Sequence, residues 1–242
     1  MKKYEEEYHG RQYQHIYRST EVFINWLESK GFFKGGGGQN RILDMACGAG
    51  ANMLYMANRH ENIQFVGMDI EPKFIEYANQ MLGKNSTYGN CKFYTGDWFD
   101  MEPKWIDAFD GIISFQTLLM FPDYREALHK LVDLRPNWIA FSSLFYEGDI
   151  EYTNQFRDYY RSSNGKEYTD IYYNIHSTIR CKEFMKKLGY SYFEYMPFEI
   201  DIDIPRGESM DIGTYTIKTE DGKRLQISAG LMMPWYFVVA YK

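Results

Sequence analysis

Between residues 41 and 146, five short apolar runs are separated mainly by amphipathic stretches, and this alternation constrains the fold more than any other feature. RILDMA, IQFVGMDI, CKFYTGD, DGIISFQ and NWIAFSSLF have the length and β-branched or aromatic content of buried strands. Ala49 to Arg59, Pro72 to Leu82 and Asp123 to Leu134 repeat apolar residues at helical spacing. Strands alternating with helices build βαβ units, and right-handed crossovers then put helices on both faces of a parallel sheet.

The flanks add to this core. Ile16, Phe23 and Leu27, with Val22 and Trp26 beside them, predict an N-terminal helix from Ile16 to Leu27. Gly35, Gly36, Gly37 and Gly38 then read as a flexible connector, because glycine loses the most backbone entropy on ordering. Residues 147–176 are polar and Tyr-rich without a clear period. Thr178 to Leu188 is a helix closed by Gly189. Tyr190 to Ile202 alternates as a strand, GTYTIKTEDGKRLQIS is a hairpin turning at Asp221-Gly222, and PWYFVVAY is a buried last strand, expected to run antiparallel. The expectation is one domain over 1–242: a helical cap (1–34), a core (40–146), and two lid segments (147–176 and 202–234).

Composition narrows the function. With 27 basic and 33 acidic residues the formal charge is −6, which argues against a chain built to clamp a phosphate backbone. No apolar run approaches the length of a bilayer span and the first residues lack an apolar signal core, so the expected location is the cytoplasm. Cys47, Cys91 and Cys181 are widely spaced, suggesting neither a disulfide framework nor a zinc site. No metal is expected, and the oligomeric state is not legible.

The sharpest motif is ILDMACGAGANML, residues 42–54. A strand ends near Asp44, small residues Ala46, Gly48 and Gly50 turn the chain, and a helix starts at once, aiming backbone N–H groups over the strand end. The dinucleotide fingerprint GxGxxG is absent, since Met53 stands in the third glycine's place, which disfavours a nicotinamide dehydrogenase. Asp69 closes the second strand, Asp97 and Trp98 follow the third, and Phe115 and Gln116 end the fourth. All of these lie at the carboxyl edge of a parallel sheet, where open α/β folds bind ligands.

This order resembles the class I S-adenosylmethionine-dependent methyltransferases over roughly residues 40–146. The resemblance implies a Rossmann-like, doubly wound, mostly parallel seven-stranded sheet with an antiparallel last strand and an inserted β-hairpin lid. It places Asp44, Ala46, Gly48 and Gly50 at the methionine part of S-adenosylmethionine, Asp69 on the ribose, Ile70 against the adenine, Asp97 at the adenine amino group, Trp98 over the ring, and Phe115 and Gln116 along the fourth-strand side. Ala46 stands where the family most often has Gly. Arg18, on the N-terminal helix beside Tyr17, is a candidate for the cofactor carboxylate.

For the acceptor, an alcohol calls for a base, and of the histidines His15 and His176 come into question, with His176 the expected catalytic residue. Glu147 and Asp149 are alternatives for orienting a hydroxyl or holding a metal. Tyr146, Tyr173 and Trp235 are expected to line the acceptor pocket, with Tyr152 and Tyr172 nearby. SFQTLLMF after the fourth strand lacks the Asn/Asp-Pro-Pro-aromatic motif of base-methylating relatives, so nucleic acid is not an expected partner. GTYTIKTEDGKRLQIS and MPWYFVVAY resemble methyltransferases of bacterial surface-polysaccharide assembly, which implies a sugar hydroxyl as acceptor, with S-adenosylhomocysteine as product. An amine acceptor, or a cofactor-binding partner subunit without chemistry, are the alternatives.

Overall fold

A computed structural model describes residues 3–34, 40–84, 89–159, 167–207 and 213–242. The helices are α1 (Lys3–Gln14), α2 (Arg18–Ser29), α3 (Ala51–Arg59), α4 (Pro72–Gly83), α5 (Tyr124–Asp133) and α6 (Thr178–Lys187). The strands are β1 (Arg41–Met45), β2 (Gln64–Asp69), β3 (Cys91–Thr95), β4 (Gly111–Phe115), β5 (Trp138–Tyr146), β6 (Gln155–Asp158), β7 (Thr169–Tyr172), β8 (His176–Ser177), β9 (Tyr192–Pro197), β10 (Thr214–Lys218), β11 (Arg224–Ser228), β12 (Leu231–Met232) and β13 (Trp235–Tyr241).

The main sheet runs β3-β2-β1-β4-β5-β13-β9, and short β8 pairs with the end of β5. The β3-to-β5 strands are mutually parallel, and β13 is antiparallel to both β5 and β9. This is the mostly parallel sheet with an antiparallel last strand that the alternation and its resemblance implied. Strand order reverses beside β1, so the turn after β1 opens onto the crevice between the two halves.

Side-chain alternation sorts the strands into two cores. On one face Leu43, Ile112, Ile139 and Phe141 meet Ala127, Leu128 and Leu131 of α5 and Cys181 and Met185 of α6. On the other, Ile42, Phe65, Ile113 and Phe237 meet Phe23 and Leu27 of α2, Met53 and Met56 of α3, and Ile75 and Ala78 of α4. All of β5 but Tyr146 is buried, as befits a strand covered on both sides. Asp123 caps α5 by accepting from the Arg125 N–H at 2.9 Å, and Ser177 caps α6 by accepting from the Arg180 N–H at 3.1 Å.

Three expectations change. The helix expected from Ile16 to Leu27 is α2, but a further helix, α1, precedes it across a break at 15–17; α1 gave no apolar period because its segment is mostly charged and polar. The strand expected over Tyr190 to Ile202 is only β9, because Tyr190 closes α6 through its N–H to the Met185 carbonyl at 3.1 Å and buries its hydroxyl against the Pro136 carbonyl at 2.9 Å. Within 147–176, β6 and β7 form an antiparallel pair, which alternation too weak to read concealed. The hairpin at Gly222 is present, with φ at 83°, and β12 extends it to three strands. The glycine run at 35–38 lies outside the described residues. Among the described residues no helix is long and apolar enough to cross a membrane.

Candidate cofactor and acceptor site

The turn after β1 is built from left-handed backbone: φ is 59° at Ala46, 55° at Gly48 and 86° at Gly50. It is braced to β2 rather than left to itself. The Cys47 N–H donates to the Met68 carbonyl at 2.9 Å, and Asp69 accepts from the Gly48 N–H at 2.8 Å and from the Glu71 N–H at 3.0 Å. Burial raises the Asp69 pKa against the pull of those two hydrogen bonds. One lone pair on Oδ2 therefore holds the turn and one on Oδ1 holds the start of α4, leaving the others for the ribose that the resemblance assigned to it. Asp69→Asn is expected to weaken S-adenosylhomocysteine binding more than tenfold and to lower the melting temperature by a few degrees, since an amide group would face an N–H; calorimetry and a thermal melt read the two effects separately.

Asp44, 1% exposed, has no hydrogen-bond partner on either carboxylate oxygen. Burial, then the negative charge of Asp69, pushes its pKa well above the carboxylate range. An unpartnered buried carboxylate beside a turn of backbone N–H groups is a site short of a cation. The amino-acid end of S-adenosylmethionine carries one, so the residues present fit that cofactor.

The far wall comes from an element the sequence did not reveal. Helix α1 lies over the turn: the Tyr13 hydroxyl donates to the Ala49 carbonyl, and a side chain at Gly48 would start 3.2 Å from the His9 ring. His9 also meets Phe74 of α4 edge-on, ring centroids 4.6 Å apart. Only the position of α1 in the fold brings His9 and Tyr13 here; no sequence pattern marks them.

The remaining cofactor candidates divide. Ile70 is 61% exposed beside Asp69, an apolar face open to a ring. Asp97 ends the loop after β3 and accepts from the Phe99 N–H at 2.9 Å. Trp98 is corrected: at 5% exposure its indole donates to the Ala127 carbonyl at 2.7 Å and packs against Phe121, so it anchors α5 instead of covering an adenine. Phe115 packs edge-on against Phe23. Gln116 has φ at 55°, takes its N–H to Ser142 Oγ at 3.0 Å, and donates from its side chain to Ser19 of α2 at 3.4 Å. Arg18 is also corrected: its guanidinium forks onto Asp201 at 2.9 and 3.0 Å and reaches Glu21 at 3.3 Å, tying α2 to the segment after β9 rather than awaiting a cofactor carboxylate.

On the acceptor side, Tyr146 is exposed and meets Tyr152 edge-on, while Trp235 is buried with Leu119, Leu144 and Met233, and Tyr173 packs against that cluster. His15 is exposed at the break between α1 and α2. Glu147 accepts from the Tyr236 hydroxyl at 3.0 Å and Asp149 pairs with Arg180; among the described residues no acid, imidazole or thiol cluster is arranged for a metal.

His176 is not placed to act as a base. It is 3% exposed, its ring packs at 4.4 Å from Tyr124 and 5.6 Å from Phe145, it donates to the Leu118 backbone, and Nε2 has no partner. Burial lowers its pKa from 6.5 to about 4, opposed by Glu151 and Asp123 and reinforced by Arg125. A histidine depressed in the folded state leaves stability intact above about pH 6.5 and removes it as the pH falls toward about 4, at about 1.4 kcal/mol per pH unit. Denaturation midpoints are expected to fall between pH 6.5 and 4.5 in the wild type, with a clearly shallower slope in His176→Phe.

A family model for the methyltransferase domain matches residues 38–174, and the chain belongs to that family. Its cofactor is S-adenosylmethionine. Over 109 residues the chain is 29% identical to an O-methyltransferase of Aspergillus nomiae, covering 44% of this chain and 48% of that protein. Over 102 residues it is 31% identical to a trans-aconitate 2-methyltransferase of Streptomyces coelicolor, covering 41% of this chain and 30% of that one. The chain thus spans about half or less of these relatives. The fold is similar to that of magnesium protoporphyrin IX methyltransferase from Synechocystis with bound S-adenosylhomocysteine, with a TM-score of 0.54 and 14% identity over 93% of this chain and 82% of that one.

Proposed function

We propose that this chain transfers the methyl group of S-adenosylmethionine to a hydroxyl oxygen of a small molecule. The observation that carries the reading is Asp44, a buried carboxylate without a partner beside a left-handed turn that Asp69 holds in place. In this reading Asp44 and the turn hold the amino-acid end of the cofactor, Asp69 the ribose, and Ile70 a face of the adenine. The cofactor supplies an electrophilic methyl carbon. The chain supplies alignment, because in-line displacement is mainly a matter of holding two reactants in register.

The formal charge of −6 supports a small acceptor over a nucleic acid. Two relatives named as O-methyltransferases, against one named as an N-methyltransferase, support oxygen over nitrogen. The sugar acceptor implied by the tail of the sequence is one class of hydroxyl, and a phenol or enol is another. Incubation with deuteromethyl-labelled S-adenosylmethionine and a panel of alcohols, phenols and amines, read by mass spectrometry and NMR, tests the reading. The expected product carries the label as a methoxy group. Label on nitrogen would contradict oxygen transfer, and bound cofactor with no transfer to any acceptor would leave the partner-subunit alternative standing.

A further inference from the structure

Trp235, 7% exposed, has an indole N–H with no hydrogen-bond partner. Leu119, Leu144 and Met233 are buried with it, and Tyr173 and Ile175 pack against them. A buried donor without an acceptor is disfavoured and needs a reason.

Its place in the sheet supplies one. Trp235 lies opposite Leu144 across the β13–β5 pair, and Ser142, two residues before Leu144, lies opposite Phe115 across the β5–β4 pair. Cross-strand partners and residues two apart share a face, so Trp235, Leu144, Ser142 and Phe115 stand on one side of the sheet. Trp235 is two strands across and about 7 Å beyond the strand end that carries Gln116. Leu119 comes from the loop after β4, and Tyr173 and Ile175 from the segment expected to form a lid.

We propose that this cluster receives an apolar ring bearing an acidic hydroxyl, a phenol or an enol, and that the Trp235 indole N–H donates to that oxygen. The inference rests on the methyltransferase reading above. A polyhydroxy sugar would need several polar partners, and its hydroxyl would need a base; the apolar residues packed around the indole suit a ring better, and His176 is packed into the opposite core. A phenol or enol ionises far more readily than a sugar hydroxyl, and its proton passes to solvent water. The oxygen lone pair then forms the new oxygen–carbon bond as the carbon–sulfur bond breaks, and that electron pair stays on sulfur, giving a methyl ether and a neutral thioether. The N–H holds the oxygenate in line.

The probes are 2-naphthol and methyl glucoside, each added to the full chain saturated with S-adenosylhomocysteine, with the five tryptophan indole N–H signals followed by NMR. The signal missing from Trp235→Phe is expected to shift with 2-naphthol and to stay put with methyl glucoside. With S-adenosylmethionine, 2-naphthol is expected to yield its methyl ether, with kcat/KM about tenfold lower or more in Trp235→Phe and unchanged S-adenosylhomocysteine affinity. If that variant fails to fold, the wild-type spectra still decide, because one indole alone is expected to move. No shift with 2-naphthol, a shift with methyl glucoside, or equal turnover in the variant overturns the proposal. A 2-naphthol shift in protein that binds no S-adenosylhomocysteine would instead overturn the methyltransferase reading and leave the ring site standing.

Discussion

Asp44→Asn is expected to make the cofactor-free protein more stable at pH 8 and to cost it at least tenfold in cofactor affinity. Both effects come from one buried carboxylate whose two oxygens meet no donor. Its pKa is raised in the fold by burial and then by Asp69, so its favourable contribution is complete below about pH 3.9 and is lost as the pH climbs through the folded value. At pH 8 the wild type carries either an unpaired buried charge or the work of keeping the group protonated. An amide of the same shape carries neither, and the gain is on the order of 2 kcal/mol. The advantage of the variant is expected to vanish below pH 4, where both side chains are neutral. Binding moves the other way, because a charge-assisted hydrogen bond to a cationic ligand group is worth about 1.5–3 kcal/mol and the amide forgoes it. Thermal melts across pH, with calorimetry at pH 8, check both signs; a variant that melts lower at pH 8 would mean that Asp44 already has its counterpart in the free protein.

Gly50→Ala is expected to destabilise the fold by about 4 kcal/mol, a large part of the roughly 5–15 kcal/mol that holds a domain together. With φ at 86°, a side chain at this position is strained by about 1–2 kcal/mol. The added Cβ would also start 2.4 Å from the Phe93 ring. That ring cannot retreat, because it fills the space over Gly67, where a Cβ would stand 2.6 Å away; overpacking of this kind adds about 1–3 kcal/mol. Gly48→Ala is expected to cost less than half as much, since its φ of 55° matches the left-handed region that Ala46 already occupies and its nearest neighbour, His9, is 3.2 Å off on a separate helix. Urea unfolding of the two variants side by side measures the difference. Equal costs would mean that Phe93 yields. The small residues of the turn thus have separate reasons: Gly50 makes room for Phe93, and Gly48 makes room for what lies over the turn.

The core of the fold was legible because β1, the turn and α3 are contiguous, and each local preference agrees with the sheet they join. Asp44, Asp69 and Gln116 were candidates for the same reason: each sits at or beside a strand end, and strand ends of a parallel sheet share an edge. Trp98 shows where that logic stops. It follows Asp97 directly, but the chain turns there, so Asp97 is half-buried at the loop while the indole points to α5. Arg18 and His176 failed on partners far along the chain, Asp201 for one and Tyr124, Phe145 and Leu118 for the other. Helix α1 left no trace because it covers the turn through isolated contacts, His9 at Gly48 and Tyr13 at Ala49, without a repeating apolar stripe.

The most direct test of the central claim, that the turn and Asp44 form an adenosyl-cofactor site, is calorimetric titration of S-adenosylmethionine into the full chain, with NAD as the competing nucleotide and Asp44→Asn in parallel. Saturable one-to-one binding of S-adenosylmethionine is expected, with no heat from NAD and at least tenfold weaker binding in the variant. Binding of NAD in its place, or S-adenosylmethionine binding that Asp44→Asn leaves unchanged, would contradict it.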